Sequence, residues 1–146
     1  LLADEPVSML DVSVRAEILN LLAELSRRRG MAIALITHDL VAAACIADRL
    51  AVMYLGRIVE RGPARTVIDD PQHPYTRALV QAAQAQGAPL AGEAVWETDG
   101  GCRFCPRCPL AVERCARVDP DEVEVGAEHW AACLLVGADA DRAQGC

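Results

Sequence analysis

Apolar and polar positions along the chain change period several times, and each change marks an element. Leu1-Leu2-Ala3 is a short apolar run that ends at Asp4-Glu5-Pro6 and reads as a buried strand. Over residues 14–29 the period becomes helical. Ile18, Leu21, Leu22 and Leu25 recur at i, i+3, i+4 and i+7, with Glu17, Asn20, Glu24 and Arg28 assigned to water. Ser13 is the expected N-cap, Arg27 to Arg29 suit the negative end of the helix, and Gly30 is the stop signal. Residues 31–37 form a continuous apolar run of strand length, as expected of a parallel strand covered on both faces. An Ala-rich helix is expected over residues 40–47. Residues 50–54 and 57–61 predict a hairpin around Leu55-Gly56. Pro63 and Pro74 each open a short helix, over 64–69 and 75–86, and residues 87–92 read as a linker. No internal repeat is present.

Composition bounds what these elements can build. Of 146 residues 53% are hydrophobic and 24% charged, which suits one domain with a small appendage and excludes a wholly disordered chain. Five aromatics (Tyr54, Tyr75, Trp96, Phe104, Trp130) leave the core, on this reading, to Leu, Val, Ile and Ala. Every one of the 14 basic residues is Arg, and the formal charge of −7 excludes nucleic acid or an anionic membrane as partner, since either needs a basic footprint. No apolar run approaches the ~18 residues that cross a bilayer. Leu1 opens the chain partway along a strand, so the polypeptide is expected to be the C-terminal piece of something longer.

The first strand, helix and second strand form a β-α-β unit with parallel strands and a right-handed crossover. Asp4-Glu5 and His38 therefore stand at the carboxyl ends of neighbouring strands, the edge where open α/β sheets bind ligands. One carboxylate there can hold Mg²⁺ and a second can deprotonate an attacking water, while an imidazole can hydrogen-bond a terminal phosphate. Taken singly, each residue reads more simply as a charged cap on a strand end. Five of the seven cysteines follow the spacing Cys102-x2-Cys105-x2-Cys108-x6-Cys115-x17-Cys133. Thiolates two residues apart suit a soft metal centre, Zn²⁺ or iron–sulfur, and spacing favours Cys105 over Cys133 as a ligand. Disulfides or unligated thiols are the alternatives. Cys45 reads as core packing and Cys146 as a loose chain end.

Residues 1–13, Leu-Leu-Ala-Asp-Glu-Pro-Val-Ser-Met-Leu-Asp-Val-Ser, resemble the Walker B and D-loop region of ABC-type ATPases, and Leu-Ile-Thr-His-Asp-Leu at 35–40 resembles their H-loop. Residues 53–62 resemble the strand pair that closes that domain, and Pro-Gln-His-Pro-Tyr-Thr-Arg-Ala-Leu at 71–79 matches the His-Pro-Tyr segment of oligopeptide and dipeptide importers. The resemblance runs from Leu1 to about Cys133. It implies an α/β fold, the C-terminal half of a P-loop ATPase domain over 1–62, a helical segment and linker over 63–92, and a Cys-rich extension over 93–146. Glu5 becomes the general base, His38 a γ-phosphate contact, Asp4 a holder of Mg²⁺, and Ser8 to Asp11 a loop reaching a second ATP-binding subunit. Met9 departs from the small residue usual in that loop. His73 and Tyr75 become subfamily markers with a structural role. A [4Fe–4S] cluster on Cys102, Cys108, Cys115 and Cys133 is implied, in conflict with the spacing argument for Cys105.

The same resemblance implies a transport-coupled ATPase at the cytoplasmic face of the membrane, with permease subunits as direct partners and an extracytoplasmic solute-binding protein as an indirect one. A phosphate-binding loop needs Gly-rich backbone and a Lys, and this sequence has no Lys. The signature motif and Q-loop are also not found in it. The 146 residues by themselves are therefore expected to hydrolyse no ATP. The competing expectation is a non-catalytic iron–sulfur or zinc module in which Asp4, Glu5 and His38 are remnants.

Overall fold

Leu2, Ala3 and Asp4 pair in parallel with Ala34, Leu35 and Ile36, so the crossover inferred from the hydrophobic pattern is present in the computed structural model of the chain. Residues 1–84 and 100–137 are described. The linker expected over 87–92, Trp96 and Cys146 lie outside the described residues. The chain forms two units, residues 1–47 and 48–146.

The first unit runs β1 (Leu2–Asp4), α1 (Val12–Arg29), β2 (Ala34–Ile36) and α2 (Leu40–Ile46). Gly30 ends α1 in the left-handed region at φ +59°, and its N–H donates to the Ser26 carbonyl, as a glycine stop should. Four expectations are corrected. The N-cap is Asp11 in extended geometry rather than Ser13, and its side chain makes no capping bond. Of the expected face of α1, Ile18, Leu22 and Leu25 are half-buried, but Leu21 is 51% exposed and the buried residue is Leu19, 5% exposed. Leu19 and Ala23 widen the apolar arc beyond the four expected positions, leaving Asn20 and Glu24 opposite, so periodicity alone did not fix its centre. The apolar run at 31–37 yields only three strand residues, and Ile36 is half exposed instead of covered on both sides. A two-strand ladder gives each strand a single neighbour, which leaves the second edge and much of both faces open. Cys45 on α2 is likewise exposed rather than packed in a core.

The second unit is built on the hairpin of β3 (Arg49–Tyr54) and β4 (Arg57–Pro63). Leu55 and Gly56 both take positive φ (+45° and +76°), the backbone that a two-residue turn needs to match strand twist. Next come α3 (Ala64–Asp69) and α4 (Pro74–Gln84), then two short 3-10 turns at Cys105–Arg107 and Glu113–Ala116. The unit closes on β5 (Val123–Gly126) and β6 (His129–Ala131). The sheet order is β3-β4-β6-β5, antiparallel throughout, so the cysteine-bearing segment is tied to the hairpin through β4 and β6. Those last two strands were not legible in the sequence, being four and three residues long around a turn at Ala127 and Glu128.

The core of this unit corrects the composition argument. Val52, Tyr54, Val59, Val67 and Phe104 are its buried members, with Tyr75 and Leu79 packed against them. The Tyr54 and Phe104 rings meet edge to face at 5.2 Å between centroids, and Tyr75 lies 4.7 Å from Tyr54 and 5.4 Å from Phe104. Few aromatics are present, but three of them gather at one point, where large rings fill space between a short sheet and short helices.

Candidate functional site

Glu5 follows directly on β1. Its N–H donates to the Ile36 carbonyl at 2.9 Å, prolonging the ladder by one bond before the chain turns away. The turn puts Glu5 at φ +47°, a conformation that costs a non-glycine residue on the order of 1 kcal/mol. His38 lies two residues beyond β2, and its Nδ1 stands 2.8 Å from Glu5 Oε1. The His38 side chain is 73% exposed and that of Glu5 40%. Two chemically competent groups, 33 residues apart, are thus presented to solvent at one edge of the parallel pair. With Glu5 ionised, Nδ1 is the donor in this bond, and Nε2 remains on the outward side of the ring for a ligand.

Asp4 is exposed immediately before Glu5. Ser8 stays local: its hydroxyl donates to the Glu5 carbonyl at 3.1 Å, as does its N–H at 3.3 Å. Asp11 caps α1 through its carbonyl, which accepts from the Arg15 N–H at 2.8 Å, and its side chain joins no cluster. Met9 is 96% exposed, so this loop displays a large apolar side chain. The next carboxylate, Asp39, has a structural duty. It caps α2 by accepting from the Ala42 N–H at 3.0 Å, and it accepts from Arg15 at 3.0 Å. Those bonds hold its pKa below the usual carboxylate value, the backbone bond most strongly and against the opposing effect of burial.

The second unit carries the cysteines. Cys102, Cys105, Cys108, Cys115 and Cys133 line one pocket together with His73, Phe104 and Leu134. Gly101 explains how the first and fourth approach. A Cβ there would lie 2.3 Å from the Ala116 carbonyl carbon and oxygen, so only glycine allows the two backbones to cross. The Cys102 N–H donates to the Cys115 carbonyl at 2.8 Å across that crossing. Cys115 is buried, and Cys102 and Cys108 pack against the aromatic core. Burial pushes up the pKa of Cys102, Cys105, Cys108 and Cys133, the last to about 11.

Soft sulfur donors converging on an apolar pocket fit Zn²⁺ or an iron–sulfur centre in kind. The fit is incomplete in geometry. Among the described residues no three His, Cys, Asp or Glu form a group that could hold a metal ion, so ligation requires the sulfurs to close in.

Behind the pocket lies a polar network that sequence reasoning missed. Glu60, in the middle of β4, is 1% exposed. Its Oε1 accepts from the Gln72 N–H at 2.8 Å and lies 2.7 Å from His129 Nε2, while Oε2 accepts from the His73 N–H at 2.8 Å. The available signal was His73, in the segment at 71–79. Nothing local to Val59-Glu60-Arg61 announces a buried acid, because strand alternation puts either Val59 or Glu60 outside. His73 is also 1% exposed, and burial pushes its pKa down to about 4.

Comparison with known proteins adds to this geometry. Residues 59–115 match the family described as "Oligopeptide/dipeptide transporter, C-terminal region". A protein of Sinorhizobium fredii named as a peptide ABC transporter ATP-binding protein is 46% identical over 142 residues, covering 91% of this chain and 40% of its own length. Brucella ovis has one named as a peptide import ATP-binding protein that is 41% identical over 143 residues, covering 92% of this chain and 45% of its own. Another of that name, from Brucella abortus, is 42% identical over 142 residues, with 92% and 42% coverage. The chain spans less than half the length of these relatives.

Proposed function

Because the chain belongs with the ATP-binding proteins of oligopeptide/dipeptide ABC importers, we propose that it forms the hydrolytic edge and cysteine-bearing end of an ATPase subunit that powers peptide uptake. The observation that carries this reading is the 2.8 Å approach of Glu5 and His38 at the carboxyl end of paired parallel strands. Glu5 accepts a proton from the water that attacks the terminal phosphorus of ATP, as the bond to the ADP oxygen breaks. His38 exchanges its bond to Glu5 for one to the γ-phosphate and so registers that group's presence. Asp4 holds Mg²⁺, which neutralises charge on the phosphates and is served by one or two carboxylates. The phosphate-cradling loop comes from polypeptide beyond these 146 residues, which hold no Lys, and the chain alone turns over no ATP.

The partners follow from the same assignment. Residues 8–11 face a second ATP-binding subunit, and permease subunits seat the protein at the cytoplasmic face of the membrane; no helix among the described residues is long and apolar enough to cross one. A solute-binding protein outside the membrane acts only through the permease. In the second unit, Cys102, Cys108, Cys115 and Cys133 hold a [4Fe–4S] cluster, with Zn²⁺ as the alternative and Cys105 as a spare thiol. Supporting this choice, three of the four are buried or packed on the aromatic core. A purely metal-binding module is the second reading, favoured by the absence of any Lys.

Glu5→Gln in the full-length subunit with its permease decides between them. ATP turnover falls about 10²- to 10⁴-fold while ATP binding persists. Unchanged turnover overturns the catalytic assignment, and absence of turnover in the wild-type complex favours the metal-binding module.

A further inference from the structure

Arg15, at the start of α1, reaches two segments that the sequence keeps apart. Its Nη1 donates to Asp39 Oδ2 at 3.0 Å and its Nη2 to the Leu10 carbonyl at 3.4 Å. Leu10 belongs to the loop that leaves β1 through Glu5, and its N–H donates to the carbonyl of buried Val7 at 3.2 Å. Asp39 follows His38 directly; its N–H donates to Thr37 Oγ1 at 3.0 Å, and its carboxylate caps α2. One guanidinium thus spans from the Glu5 loop to the His38 segment, beside the 2.8 Å contact of those two side chains. That contact needs a support. The His38 side chain is 73% exposed, so packing does little to fix its distance from Glu5, and Glu5 stands at φ +47°. The Nε of Arg15 is buried without a partner, so its two outer nitrogens place the guanidinium at the expense of the third donor.

We propose that Arg15 is a positioning residue for the Glu5–His38 pair: holding Leu10 and Asp39 on one fork, it sets the spacing between the loop after Glu5 and the segment of His38. This rests on the hydrolytic reading of that edge given above. A planar fork suits the task, because its outer nitrogens keep a fixed separation that a flexible ammonium lacks. Arg15 acts through Asp39 and the loop backbone rather than on ATP. Misplacing a general base by about 1 Å costs up to about 10² in rate, so the effect falls on turnover. Affinity for ATP depends on the phosphate-cradling loop elsewhere in the subunit.

The test uses the full-length subunit with its permease. Arg15→Met keeps the aliphatic stem and removes both bonds; Arg15→Lys keeps the charge opposite Asp39 and replaces the fork with a single nitrogen. Both are expected to lower kcat for ATP about tenfold with KM within about twofold of wild type. Arg15→Lys is expected to keep the wild-type Tm, which separates positioning from folding. Wild-type kcat in either variant, or a loss that appears in KM instead, overturns the proposal. So does a Tm loss in Arg15→Lys as large as in Arg15→Met, or failure of both to fold, since Arg15 is then a structural tie alone. Should only Arg15→Met fail to fold, kcat of Arg15→Lys at wild-type Tm decides. Unchanged turnover in Glu5→Gln removes the hydrolytic reading itself, and the proposal with it, whatever the Arg15 variants do.

Discussion

Glu60 and His129, 69 residues apart in the chain, meet at 2.7 Å between Oε1 and Nε2, with side chains 0% and 3% exposed. The same carboxylate holds the N–H groups of Gln72 and His73, so one acid joins the central strand, the His-Pro-Tyr turn and the strand leading to Cys133.

Glu60→Ala strands two buried groups, the His73 N–H and the His129 ring, and the part-buried Gln72 N–H. Each unsatisfied group costs about 1–3 kcal/mol, so a loss of about 3–5 kcal/mol is expected, enough to unfold the second unit near room temperature. Glu60→Gln keeps one accepting oxygen and costs less. Circular dichroism during guanidinium unfolding measures both, and equal stability of Glu60→Ala and wild type would show the network to be incidental.

Gly101→Ala inserts a methyl where 2.3 Å separates it from the Ala116 backbone. Backbone cannot rotate aside as a side chain can, so the crossing must open. A destabilisation of about 1–3 kcal/mol is expected, with reduced metal uptake because Cys102 and Cys115 separate. Substituting Gly100, where an added Cβ meets nothing within 4 Å, tests strain at its φ of +76° alone.

Asp39 sets an acid limit on the first unit. Its pKa is lower in the folded chain than in the unfolded one, so the unfolded state binds more protons as pH falls. The stabilisation is complete above the unfolded value, about 4, and is lost as pH drops through the folded one. Asp39→Ala is expected to cost about 1 kcal/mol at neutral pH, as loss of an N-cap does, and to converge with wild type in acid. Amide exchange across α2 reports it; a difference that persists at low pH refutes the linkage.

The ligand set is open to a direct comparison of two serine variants. Cys133→Ser is expected to lose bound iron, whereas Cys105→Ser retains it and keeps the visible absorption of the anaerobic protein. The reverse result would restore the reading from spacing alone.

Local chemistry made several features legible from residues in order. Gly30 ends α1, Leu55-Gly56 turns the hairpin, and α3 has the predicted bounds because Pro63 opens it. The edge that carries Glu5 and His38 was equally readable, since a β-α-β crossover leaves one choice of where strand ends fall. By contrast, the centre of the buried face of α1 was not readable, because Leu19 beside Ile18, Leu21, Leu22 and Leu25 widens the apolar arc.

Order along the chain, turn chemistry and the residue types at the two candidate sites were settled by the sequence of this protein alone. Tertiary structure decided which groups leave water: Glu60, His73 and His129 are polar, and only an interior that supplies their partners makes burial tolerable. It also decided that three scattered aromatics share one core, and that five thiols share one pocket. Burial and pairing at long range depend on what arrives from the far end of the chain, and no local window contains that information.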